Sequence, residues 1–131
     1  MKAKPTADQM RVLVILKQLA VAADWRGVAA QERAAKAVAA AVRISMPCIA
    51  STVYLTLGIA YNELGDYAKA IAYHTQNLAI AKEVGNRVGE GVAYGNLSNA
   101  YRLQGDFSKA IEYHTAERII TWEIFPEEVC V

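Results

Sequence analysis

With 131 residues, 54% of them hydrophobic and 21% charged, the chain is long enough for one continuous core and too short for two. A formal net charge of +1 provides no overall field that would draw it to nucleic acid or to an acidic membrane surface. The charge is uneven, with eight Lys/Arg against three Asp/Glu in residues 1–43 and six against ten in residues 44–131.

Cys48 and Cys130 lie far apart, with no metal-ligand spacing and no disulfide framework, which points to a reducing compartment. No run of 18 apolar residues marks a transmembrane helix. Lys2 and Lys4 ahead of Val12-Leu13-Val14-Ile15-Leu16 have the outline of a signal or transit peptide. Lys17 and Gln18 interrupt that stretch, and Asp8 sits inside the would-be basic region. A structured amphipathic helix and a cytoplasmic location are therefore the expectation.

In chain order, residues 1–6 are expected to be disordered and 7–46 to form a degenerate first helix pair. Its helices would run over 7–23 and the Ala-rich stretch 25–43, ending ahead of Met46-Pro47, because proline disfavours helix in the residue before it. Sliding the chain on itself by 40 residues places 54–84 over 94–124 with fourteen of 31 positions identical. Tyr54, Leu57, Tyr61 and Leu64 form one helical stripe. Gly65 supplies a left-handed helix end, and Asp66 supplies an oxygen to cap the next helix. A second stripe runs through Ala70, Ile71, His74, Leu78 and Ala81, and Gly105-Asp106 repeats the punctuation. Small residues, Gly58/Ser98 and Ala70/Ala110, stand where paired helices must approach closely. The expected units are 49–85 and 88–124, with an irregular tail at 125–131. The glycine-rich GNRVGEG at 85–91 follows no strand and lacks a Gly-Lys-Ser/Thr ending, so it is expected to be a connector rather than a phosphate loop.

These residues resemble the tetratricopeptide repeat: aromatic, Leu, Gly or Ala, Tyr, then Gly-Asp-aromatic and Lys-Ala-Ile. The 40-residue unit and the wording IAKEVGNRVGEGVAYGNLSNAYRLQGDFSKAIEYH are similar to the repeats of Pins/LGN-type adaptors. The resemblance implies an all-α, right-handed solenoid of about three antiparallel helix pairs that binds protein or peptide partners. It implies no catalytic residues, no cofactor and no metal.

In such repeats the first helix of each pair lines a concave groove. The implied groove residues are Thr52, Leu55, Ile59, Asn62 and Glu63 in one unit, and Val92, Gly95, Asn96, Asn99, Arg102 and Leu103 in the next. Asn can donate and accept towards a peptide backbone, and Arg can grip a carboxylate with two hydrogen bonds. Leu55 and Ile59 stand where a chaperone-tail clamp would need Lys and Asn, so the expected ligand is an acidic-apolar segment. His74 and His114 share one repeat position, about 10 Å apart in a stack, too far to share a metal. Ile119, Trp122 and Phe125 leave apolar surface on the last helix, which self-association, a folded-back tail or truncation of a longer repeat array would each explain. Val129-Cys130-Val131 has the form of a hydrophobic PDZ ligand, a weak signal in three apolar residues.

Overall fold

A computed structural model describes residues 28–126 of the chain. The expected first helix over 7–23 and the hydrophobic C-terminal tripeptide lie outside the described residues. Five helices follow one another: α1 (Val28–Val42), α2 (Pro47–Leu64), α3 (Tyr67–Val84), α4 (Arg87–Gln104) and α5 (Phe107–Ile124). Each packs on its neighbour in the chain, and α2 also touches α4. The result is an α-solenoid of antiparallel pairs, α2/α3 and α4/α5, with α1 packed against α2 ahead of them.

Local chemistry sets the helix ends. Gly65, Gly85 and Gly105 take φ of 84°, 71° and 93°, the left-handed conformation that a side chain resists. The next residue then caps: Asp66 accepts from the Lys69 N–H, Asn86 from Gly89 and Asp106 from Lys109. Pro47 sits at the first turn of α2, where its missing N–H costs nothing.

The connector expected at 85–91 is corrected here. Only Gly85 and Asn86 are non-helical, and α4 begins at Arg87. Asn86 caps that first turn, so the six extra residues of the 40-residue unit lengthen helices instead of loosening a loop. Gly91 is then a packing residue, since a Cβ there would lie 3.3 Å from Ile120 Cγ2 on α5.

The main core gathers Ala35, Ala39 and Val42 of α1 against Val53, Leu57 and Ala60 of α2 and Ala70, Tyr73 and Ile80 of α3. A smaller cluster joins Leu78 of α3 to Ala93 and Leu97 of α4, flanked by Ile71, Tyr94, Tyr101 and Tyr113. Tyrosine stacks recur at the 40-residue shift. Tyr61 lies 5.8 Å from Tyr73, and Tyr101 lies 5.4 Å from Tyr113, nearly parallel in each case. In the upstream copy the Tyr61 and Tyr73 hydroxyls and the Lys69 ammonium all donate to Glu32 of α1. This tie fastens α1 to the pair behind it. Burial by itself would raise the Glu32 pKa, but these donors outweigh it and hold the carboxyl below its ordinary range.

Gly58 explains why one helix face must be bare. A Cβ there would lie 2.5 Å from Cε1 of the His74 ring, which packs flat across α2. His74 is 1% exposed, and burial pushes its pKa down to about 4, so the ring is neutral at pH 7.

Candidate functional site

The first helices of the two clear pairs, α2 and α4, lie side by side, and the groove residues inferred from sequence fall along them. On α2, Thr52 is exposed and donates back to the Cys48 carbonyl, Leu55 is half-buried, and Ile59 and Glu63 are exposed. Asn62 is half-buried with Oδ1 out of water and without a partner among the described residues. On α4, Gly95, Asn96 and Asn99 are half-buried, and Val92, Arg102 and Leu103 are exposed. Asn99 accepts a hydrogen bond of 2.6 Å from the Arg102 guanidinium. That bond pre-orients the cation one turn away on the same helix face.

An open cavity of about 440 Å³ brings part of this set together: Gly95, Asn99 and Arg102, with Ser98, Phe107, Ala110, Ile111, His114 and Glu117. Leu55, Ile59, Asn62, Glu63 and Asn96 lie outside it. The floor is apolar, from Ala110 and Ile111 of α5, and the rim is polar. His114 Nδ1 stands 3.4 Å from Glu117, and the Ser98 hydroxyl donates to the Ala110 carbonyl at 2.9 Å. Gly95 makes room for that rim, because a Cβ there would sit 3.0 Å from Glu117 Oε1.

Reading the first helices alone missed the α5 contribution. The available signal was the repeat itself: Ile111 and His114 correspond to Ile71 and His74, which α4 and α2 partly or wholly cover. On α5 that face is open among the described residues. Ile111 is 67% exposed and the His114 side chain 58%.

Among the described residues no group of three His, Cys, Asp or Glu side chains could hold a metal, and no helix is long and apolar enough to cross a membrane.

The stacked pairs and their Gly–Asp punctuation define a helical-repeat module, and a tetratricopeptide repeat family profile matches residues 49–116. The chain belongs to the tetratricopeptide repeat family. It is 45% identical over 47 residues to G-protein-signaling modulator 1 of Mus musculus and to that of Rattus norvegicus, and 43% identical to that of Homo sapiens. Each match covers 36% of this chain and 7% of the relative, so the chain matches only a small part of those relatives' length.

Proposed function

We propose that the chain is a non-enzymatic adaptor that holds an acidic-apolar peptide segment of a partner protein along α4, from the cavity α4 shares with α5 towards α2. The observation that carries this reading is the open cavity with an apolar floor and the paired Asn99–Arg102 rim. A peptide side chain would bury against Ala110 and Ile111. Asn99 would hydrogen-bond the peptide backbone, and Arg102 would take a carboxylate. Leu55, Ile59, Asn62, Glu63 and Asn96 would continue the surface towards α2. The relatives' name makes components of G-protein signalling the first partners to try.

The test is fluorescence anisotropy with a panel of acidic-apolar peptides, alongside partner capture from the native cell. Asn99→Ala and Arg102→Glu are expected to weaken binding at least tenfold with the helical circular dichroism unchanged. Wild-type affinity in both variants would overturn the groove assignment.

A second reading is assembly, with the end helix stacking on another chain. It is favoured by the exposure of Ile119, Trp122 and Phe125 on the α5 side. Light scattering separates a fixed 14.3 kDa particle from a concentration-dependent one.

A further inference from the structure

A set of three donors stands twice in the chain, and the chain supplies a carboxylate to one copy. Upstream, the Tyr61 hydroxyl donates to Oε2 of Glu32, the Tyr73 hydroxyl to Oε1, and the Lys69 ammonium to Oε2 at 3.2 Å. Each carboxylate oxygen thus receives a neutral donor, and a cation completes the set. The 40-residue shift carries all three donors into the second pair unchanged, as Tyr101, Lys109 and Tyr113. The rings keep their arrangement, at 5.8 Å and 15° upstream and 5.4 Å and 5° downstream.

The helix in front makes the difference. α1 brings Glu32, whereas α3 has one carboxylate, Glu83, which pairs with Arg43. Among the described residues no side chain accepts from the Tyr101 or Tyr113 hydroxyl. The Lys109 ammonium lies 4.0 Å from Glu112, too far for a hydrogen bond. Tyr61 and Tyr73 are 4% and 6% exposed, while Tyr101 and Tyr113 are half-buried. Burial, more than any neighbour, holds the Tyr101 pKa above its ordinary value, so the hydroxyl keeps its proton at pH 7. Tyr113 and Lys109 are next among the groups acting on it, then Asp106 and Glu112. Both rings pack with Leu78 and Ile71 of α3, so this set faces back into the stack, whatever follows α5.

We propose that Tyr101, Lys109 and Tyr113 form a binding site for the carboxylate of a glutamate side chain on a partner protein, held as Glu32 is held upstream. Two hydroxyls fix the plane of the carboxylate and the ammonium neutralises it, and hydrogen bonds to an ionised acceptor are the stronger kind. The site is separate from the groove, since none of the three lines the cavity at Asn99 and Arg102. A partner lying in the groove and one reaching this site would therefore be read by different residues.

The probe is N-acetylglutamate amide, titrated into the full chain with its tyrosine and lysine side chains isotope-labelled. Expected are saturable shifts of Tyr101, Tyr113 and Lys109, with Tyr61 and Tyr73 still because Glu32 holds them. The matching glutamine amide should shift none of these. Tyr113→Phe and Lys109→Gln should each weaken binding at least fivefold with the helical circular dichroism unchanged. Glu32→Ala is the positive control, in which the same probe should now shift Tyr61 and Tyr73. No shift at Tyr101 and Tyr113 would overturn the proposal, whether or not that control responds. So would equal shifts with the glutamine amide, or with sodium chloride at the same ionic strength. Binding of acetate but not of the blocked glutamate would also overturn it, because the site then admits only a small free carboxylate. Asn99→Ala and Arg102→Glu should bind the probe as wild type does, so this site and the groove succeed or fail separately.

Discussion

Replacing Gly58 with alanine tests the central packing claim, that a bare patch on α2 exists to receive the His74 ring. An added Cβ would lie 2.5, 2.6 and 2.8 Å from Cε1, Nδ1 and Nε2 of a ring that is 1% exposed. Such contacts force the ring or the helix to move, and overpacking a tight interior costs about 1–3 kcal/mol. Alanine returns about 0.5–1 kcal/mol through its better helix propensity. The net expectation is a loss of about 1–2 kcal/mol, and a melting temperature roughly 3–10 °C lower in a domain of this size. Gly95→Ala is the internal control. Its Cβ would meet Glu117 Oε1 at 3.0 Å, the far end of a flexible side chain on an open cavity. That carboxylate can swing away, so Gly95→Ala should be neutral or stabilise by up to about 1 kcal/mol. Urea and thermal unfolding followed by circular dichroism measure both. The double variant Gly58→Ala/His74→Ala should show positive coupling, with the cost of Gly58→Ala largely removed. A Gly58→Ala protein as stable as wild type, or equal effects at the two glycines, would refute the close-approach argument.

Two further outcomes follow from buried polar groups. The His74 pKa is pushed below its unfolded value of about 6.5 to about 4, so the unfolded chain binds that proton more readily. The stabilisation is present in full above about pH 6.5 and is lost as the pH falls towards 4, by up to about 3 kcal/mol. Unfolding free energies between pH 7 and 5 should therefore fall in wild type and stay flatter in His74→Gln. Equal slopes would exclude His74 as the source. Glu32→Ala removes the acceptor for Tyr61, Tyr73 and Lys69, stranding two hydroxyls at the α1 contact. It should cost about 2–3 kcal/mol, and hydrogen exchange should speed in α1 while α4 and α5 keep their protection. Unchanged exchange in α1 would show that the apolar contacts of Ala35, Ala39 and Val42 suffice to hold it.

The residues whose roles depend on near neighbours in the chain were legible at once. Gly65 and Gly105 end helices because their φ is positive, and Asp66 and Asp106 cap because the N–H three residues on is within reach of a carboxylate. The 40-residue identity disclosed the pairing of helices, and the small residue at Gly58 disclosed a close approach. The same local reasoning misjudged GNRVGEG. Glycines that look like breaks are helical there, because Asn86 caps α4 and Ile120, 29 positions beyond Gly91, needs the space.

What the tertiary structure alone decided is which copies of a repeated residue are covered. His74 and His114 are one residue in one repeat position, yet the first is a neutral core ring and the second an exposed ring beside Glu117. Glu32 reaches tyrosines 29 and 41 residues away, a contact no local pattern encodes. The cavities on α5 lie on a face that no helix covers among the described residues. A sequence repeat states what each helix can bury, and burial itself is settled by which helix lies next to it in space.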